Sequence, residues 1–514
     1  MPFPNTTAAP PSLLTCLPVV WSQVLFPGRA DAEPRGRWTS WLLLLLLPGA
    51  LLYPCLSFHL FEPDEARYAE IPREMLARGD WIVPYLQREP YLDKPPLFYW
   101  LVMLNYRLFG VQTWAARLIP AWAAHGCVLL TYWFGRRLLG ERAAFWGALA
   151  LGLCPGFMSM ARLLLLDGLL ALCVTLALFA AFEALRRERF RWGWWLVSAV
   201  ACGLGILAKG PVAVVLLVVP LWLHRRLTGS SCRIGWPARL VFGGILALLV
   251  LPWYVAICVR MPEFARYFLW EHNVMRFVSP FDHQRPIWFY GPILLVGLLP
   301  ASLLLWPFAR FMLAREPNEI RLRCPELGFT LLAGGWCVLF FSLSGCKLPT
   351  YILPGFPPLA LACGYFLSTR RWADSTGLRG GVALAWVVLA AVNYGFVPRY
   401  AEFHSPMSDP QNIVQCCGDR NVPVVCYPRS CDSVAFYLGR DDFRSYRSKD
   451  TQLLVQFLLQ QPRTVILFTH RHSLEQLRDV LPPKLRILHE KALSGSIRRL
   501  DRAEMCYMAV VERR

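Results

Sequence analysis

Lysine is scarce in this 514-residue chain: six lysines stand against 47 arginines. Charge of either sign is sparse too, at 17% of residues, while 56% of the chain is hydrophobic and 21 residues are tryptophan. That composition excludes an ordinary soluble protein. No CxxC pair and no zinc-finger spacing occurs among the 17 cysteines, so most of them read as small core side chains. Also missing is any basic stripe interleaved with aromatics outside the apolar runs, which excludes a nucleic-acid-binding surface. The formal charge of +19 falls instead in short clusters between apolar segments, the way a membrane protein fixes its orientation. Residues 1–37 are polar and Pro-rich, and their short apolar patch is broken by Pro18 and Gln23. They read as a flexible cytoplasmic leader without a cleavable signal peptide.

What is present is a series of membrane-length apolar runs. Trp41 to Leu60 is uncharged over 20 residues, enough to cross about 30 Å of hydrocarbon. Further spans are expected near 114–134, 143–160, 165–184, 193–207, 211–223, 238–257, 288–308, 328–344, 350–368 and 380–397. The short run 95–109 reads as a helix lying along the outer interface, because the Arg136/Arg137 pair then falls inside with every later basic cluster. About eleven spans result, or about thirteen if interfacial helices are counted in pairs. Either odd number puts the N-terminus inside and the tail outside. That tail, 399–514, changes character: VPVVCYP, TVILFTH, LRILHEK and MAVVE look like strands, separated by helix-like 452–461 and 473–480. It reads as a small extracytoplasmic α/β domain, a cap or docking module, following a membrane domain of residues 38–398. It has no Gly-rich phosphate loop, and Cys416, Cys417, Cys426 and Cys431 can form disulfides there if the tail is exported.

The stretch between the first span and the hydrophobic bulk, outer loop 61–96, is unlike a connector. From Glu62 to Lys94 it carries eight of the chain's 34 carboxylates and five basic residues. Asp64, Arg67, Asp93 and Lys94 sit there among Pro, Trp and Tyr, which stiffen a loop and seat it at an interface. The expected topology brings Arg162, Asp167, Lys209, Glu271, His272, Lys347 and Tyr351 to the same outer face. All three lysines of the membrane part, Lys94, Lys209 and Lys347, fall on that face. Compact ammonium charges in an otherwise arginine-using chain suit a phosphate or pyrophosphate-like group. Each residue also has a plainer reading: Asp167 as an ion pair with Arg162, Lys209 as a snorkelling helix end, His272 as an interfacial histidine, Tyr351 as an aromatic-belt residue. Agreement in side, not any single residue, favours a functional site.

At DEARYAEIPREM, DKPPLFYW and KLPTYILP the chain resembles the polyprenyl-phosphate-sugar glycosyltransferases of the GT-C class. Its nearest likeness is to the lipid A 4-amino-4-deoxy-L-arabinose transferases, with protein O-mannosyltransferases more distant. The resemblance runs from about residue 38 through the membrane part and weakly into the tail. It implies a polytopic helical fold with an extracytoplasmic α/β domain in the bacterial inner membrane. It also implies an inverting transfer of a monosaccharide, 4-amino-4-deoxy-L-arabinose in the nearest branch, from undecaprenyl or another polyprenyl phosphate to an acceptor such as lipid A. Site residues follow by position. Asp64, Arg67 and Asp167 fall on the catalytic positions, and Lys94, Lys209, Lys347 and Tyr351 on the donor-phosphate side. Asp93 and His272 fall on the positions that hold a divalent metal, with zinc as the candidate. Asp93 departs from the family pattern, which usually has Glu there. Transfer to a protein or another glycan is the alternative acceptor class. A flippase for lipid-linked saccharides is the alternative outside enzymes, although such proteins gather charge near the midplane and often show internal repeats, which this chain lacks.

Overall fold

The computed structural model describes residues 34–229, 232–279, 282–370, 372, 375–469, 471–493 and 507–513. The expected leader therefore lies outside the described residues as far as 33. The first helix, Pro34–Leu52, stops short of the expected Leu60. Pro54 explains the difference, since a proline disfavours helical backbone in the residue before it and cannot donate to the preceding turn.

Among the described residues, six helices are long and apolar enough to cross a membrane: Leu166–Leu185, Trp192–Lys209, Trp236–Arg260, Pro325–Leu343, Pro349–Ser368 and Thr376–His404. The expected span at 288–308 is instead a bent pair, Ile287–Gly297 and Ala301–Leu313, meeting at 105° where Pro300 interrupts the hydrogen-bond ladder. Four other expected spans coincide with helices that are shorter, more charged or broken: Pro34–Leu52, Thr113–Leu139, Val212–Thr228, and the pair Glu141–Leu153 and Pro155–Arg162. Close approach of these helices relies on missing side chains. A Cβ on Gly364 would fall 2.2 Å from the Gly147 backbone nitrogen, so the two helices pack backbone against backbone there.

The outer stretch is not a loop. Asp64–Arg78 is a 15-residue helix, closed by Gly79 in the left-handed conformation that glycine adopts without steric cost. It is followed by a two-stranded hairpin, β1 (Tyr85–Leu86) and β2 (Glu89–Pro90), and by the expected short helix, Leu97–Phe109. One buried carboxylate pins this assembly. Glu65 accepts from both Arg117 Nε (3.0 Å) and Nη2 (2.7 Å) and from the backbone of Leu164 (2.8 Å). Arg117 in turn donates to the carbonyls of Leu56, Phe58 and His59 in the turn after the first helix.

The tail forms a five-stranded sheet of β3 (Val424–Tyr427), β4 (Arg444–Ser445), β5 (Arg463–Phe468), β6 (Leu485–Ala492) and β7 (Tyr507–Arg513), in the order β4–β3–β5–β7–β6. β3 runs parallel to β4 and β5, while β7 is antiparallel to both β5 and β6. Four of these strands fall on the four segments expected; β4 was not expected, being too short to show alternation. The boundary placed at 399 falls inside the helical run Thr376–His404, which continues past it. Cys416, Cys417, Cys426 and Cys431 are not joined in disulfides. The tail docks on the outer helix: Tyr437 Oη accepts from the Leu60 backbone (3.2 Å), Glu62 Oε1 from the Ser433 backbone (2.7 Å), and the Arg440 carbonyl from Arg73 (2.9 Å).

Candidate active site

Most of the acids in the outer stretch are occupied by the fold. Glu65 holds Arg117, Glu70 holds Arg73 at 2.6 and 2.7 Å, and Glu74 caps the backbone of Gln87 and Arg88. Asp80 caps Ile82 and Val83 and pairs with Arg260 at 3.0 Å. Glu62 accepts from the Ser433 backbone and Glu89 lies exposed on the hairpin, which leaves Asp64 and Asp93. Asp64 begins the outer helix with 54% of its side chain exposed, 3.5 Å from Arg67 one turn on.

Four elements deliver the remaining charges. Asp167 lies in the first turn of Leu166–Leu185 and Lys209 ends Trp192–Lys209; their side chains form an ion pair, so these two helix ends lie on one side of the bundle. The plainer reading of Asp167, a pair with Arg162, is not what forms. Arg162 turns instead to the Cys55 carbonyl at 2.6 Å. The Lys209 ammonium also sits 4.1 Å from the centre of the Tyr351 ring, a cation–π contact that holds both at the rim. From the loop before Leu97–Phe109, Lys94 Nζ reaches His272 Nε2 at 2.6 Å, while Asp93 accepts from Tyr267 Oη at 2.7 Å. His272 and Tyr267 belong to a π-helix, Ala265–Met275, a form enriched at functional sites.

The electrostatics tie these groups into one cluster. Burial, and then the proximity of Lys94, drive the His272 pKa well down, so its imidazole is neutral. Its Nε2 lone pair accepts from Lys94 and from Arg276 Nη1 at 3.2 Å, which assigns the proton to Nδ1. Burial pushes the Lys94 ammonium down to about 8, against the pull of Asp93 and with the repulsion of Lys209 and Arg276. Burial opposes ionisation of Asp93 as well, yet the Lys94 ammonium beside it and the hydroxyls of Tyr267 and Tyr91 help keep its pKa low. The Tyr68 hydroxyl, one helical turn after Asp64, is raised by burial and feels Asp64, Arg67, Asp93 and Asp167 together.

Asp93, Lys94, His272, Asp167, Lys209 and Tyr351 thus form one electrostatically linked cluster, with Asp64 and Arg67 bordering it through Tyr68. Lys347 does not offer its charge to it. Its ammonium is turned onto the backbone carbonyls of Ser344 and Arg285 (2.9 Å), where it ties two chain segments together. The sequence reading missed Tyr68, Tyr91, Tyr267 and Arg276. Tyr68 and Arg276 carried a signal, each four residues from a candidate, Asp64 and His272, and so on the same helical face. For metal binding, Asp93 and His272 would supply two corners of a divalent site only once Lys94 and Arg276 release His272 Nε2. Among the described residues no three His, Cys, Asp or Glu side chains cluster as ligands, so the other positions would fall to water or substrate oxygens.

Residues 38–268 match the family model of the dolichyl-phosphate-mannose-protein mannosyltransferases. Over 388 residues the chain is 35% identical to undecaprenyl phosphate-alpha-4-amino-4-deoxy-L-arabinose arabinosyl transferase 1 of Pseudomonas fluorescens, covering 72% of this chain and 65% of that protein. A second transferase of that name, from Yersinia pestis, is 36% identical over 332 residues, 62% of this chain and 57% of its own length. The chain thus spans somewhat under two thirds of these relatives. The crystal structure of ArnT from Cupriavidus metallidurans bound to undecaprenyl phosphate superposes with a TM-score of 0.72 at 21% identity, covering 92% of this chain and 98% of that one. The chain shares the GT-C fold of ArnT. Its long apolar helices, with this likeness, make it an integral membrane protein. The fold also extends, at a TM-score of 0.51 and 13% identity, to the Archaeoglobus fulgidus oligosaccharyltransferase, over 90% of this chain and 70% of that one.

Proposed function

We propose that this ArnT-like chain is an inverting glycosyltransferase. It moves a monosaccharide, 4-amino-4-deoxy-L-arabinose by likeness to its relatives, from undecaprenyl or another polyprenyl phosphate to an extracytoplasmic acceptor of the lipid A type. It sits in the bacterial inner membrane with its N-terminus cytoplasmic and the cluster at the outer rim. The observation that supports the reading is the grouping of Lys94 and Arg276 on His272 with the Lys209–Asp167 pair beside them, at helix ends rather than mid-bundle. A saccharide transporter is expected to place such charges near the midplane.

In the transfer, the bond between the sugar's anomeric carbon and the phosphate oxygen breaks, and its electron pair leaves with the polyprenyl phosphate. Lys94 and Lys209 face the charge that builds on that oxygen and lower the barrier, each fixed beforehand by its own contact with His272 or with Asp167 and Tyr351. An acceptor oxygen attacks the opposite face. If it is a hydroxyl, Asp64 takes its proton as general base; if it is already anionic, Asp64 and Arg67 orient it. A divalent ion held by Asp93 and His272 would take the place of Lys94 at His272 Nε2 and would supply Lewis-acid charge there.

Purified protein given radiolabelled polyprenyl-phosphate sugar transfers label to extracted acceptor, and Asp64→Asn lowers turnover by at least about two decades without loss of folded protein. Near-normal turnover of Asp64→Asn removes this residue from the mechanism. Movement of label across vesicles without transfer would establish a flippase instead.

A further inference from the structure

Away from the cluster, a crevice of about 1590 Å³ opens between the outer helix and the tail sheet. It lies at the carboxyl ends of the parallel strands β3, β4 and β5. From β3 the chain leads through helix Asp432–Leu438 to β4 on one side; from β4 it crosses back through helix Thr451–Gln460 to β5 on the other. Where strand order reverses in this way the following loops part, and open α/β sheets bind ligands in the gap. Here the gap is floored by the loop after β3, with Arg429 and Ser430, and walled by the loop after β4, with Arg447 and Lys449. Across it stands Arg67, so the crevice leads to the acceptor side of the proposed active site.

The lining is strongly cationic, and its charge is not internally cancelled. Among the described residues, Arg429, Arg447 and Lys449 are exposed and pair with no carboxylate. Arg444 lies over the Phe457 ring at 4.6 Å, and Arg420 donates to the Gly439 carbonyl at 3.1 Å, so both keep their full charge. Of the acids in the lining, Asp442 is held by the buried Arg440 at 2.7 and 2.8 Å and Asp432 is buried and accepts from Ser430 Oγ at 3.0 Å, which leaves Glu89 on the far hairpin. Guanidinium forks with an ammonium between them are the donor set that recognises phosphate oxygens. Polar neighbours such as Ser430, Ser473 and Gln476 add the hydrogen-bonding capacity that sugar hydroxyls need.

We propose that this crevice binds a phosphate-bearing saccharide and holds it over Arg67 as the phosphorylated part of the acceptor. The saccharide half of this assignment rests on the transferase reading; the anion half rests on the crevice alone. The site is distinct from the donor-phosphate cluster and makes the tail a substrate-recognition module.

The test uses the full chain in nanodiscs of zwitterionic lipid and titrates glucosamine 1-phosphate and inorganic phosphate by calorimetry, for the native protein and for Arg429→Gln/Arg447→Gln/Lys449→Gln. The sugar phosphate is expected to bind more tightly than inorganic phosphate, and the triple variant to bind it at least about tenfold more weakly. In transfer assays the variant raises the acceptor KM with kcat unchanged. Equal affinity in both proteins, or no binding to the native one, overturns the proposal. So does a dependence on these residues seen only when the protein meets phosphatidic-acid vesicles, which would make the face a membrane contact. Binding through these residues in a chain that transfers nothing refutes the transferase reading and leaves the crevice standing. Normal transfer with undiminished binding in the variant does the reverse.

Discussion

Lys209 and Asp167 show how an ion pair at a helix end is separated from a working site. A pair this shielded is costly to break on one side, because the remaining charge is left without its partner. Lys209→Met alone therefore loses activity on either reading. The double variant Asp167→Asn/Lys209→Met decides between them, since it removes the stranded charge. If Lys209 merely neutralises Asp167, the double variant recovers both melting temperature and turnover. If Lys209 stabilises the leaving phosphate, stability returns and turnover stays about two to three decades down, the usual effect of losing one such donor. The same logic separates Lys347, whose ammonium is spent on backbone carbonyls, from Lys94 and Lys209.

The helix Asp64–Arg78 is the element on which the site depends, and two contacts set its position. Beneath it, Glu65 and Arg117 form an ion pair with side chains 2% and 0% exposed. Arg117→Met removes one partner and is expected to cost about 3–5 kcal/mol, read as a lower unfolding temperature in detergent, with activity falling as the outer helix shifts. Above it, Glu62 meets the tail at Ser433 beside Asp432. Burial, and then the nearby Asp432, push the Glu62 carboxyl up to about 8. Burial likewise pushes Asp432 up to about 6, against the pull of Arg67. A carboxyl raised on folding contributes stability that is complete below its unfolded value and is lost as pH rises through its folded value. Docking of the tail should therefore weaken from about pH 4.5 to 8. Glu62→Gln keeps the acceptor for the Ser433 amide and flattens that decline, so at pH 8.5 the variant melts higher than the native protein. An unchanged pH profile would show that Glu62 is ionised at the joint.

For the whole molecule, the decisive question is sidedness. Asp167 begins one helix and Lys209 ends its neighbour, and their contact places both ends on one face with the outer helix and tail. Cys55, exposed in the turn between the first helix and the outer one, reports which face that is. A membrane-impermeant maleimide added to intact spheroplasts should label the native protein and lose that label in Cys55→Ser. Labelling at Cys55 only after permeabilisation would reverse the orientation and move the proposed reaction to the cytoplasmic side.

The sequence by itself determined most of the apolar helices, the basic clusters between them, four of the tail's five strands and most residues of the charged cluster. All of these follow from local periodicity, from charge against hydrophobicity, and from motifs continuous in the chain. It also picked Lys94 and Lys209 out from the arginines, because type alone marked them. Only the tertiary structure decided which acids are spent on the fold. Glu65 and Asp64 are adjacent in the chain, yet a helix turns one into a dry pocket onto Arg117 and leaves the other in the open. It also decided that Asp167 meets Lys209 rather than Arg162, that Lys347 turns onto carbonyls, and that the loops after β3 and β4 open a cationic crevice opposite Arg67. Such pairings depend on which helix ends and strand ends lie together, and a chain fixes that only when its long-range packing is complete.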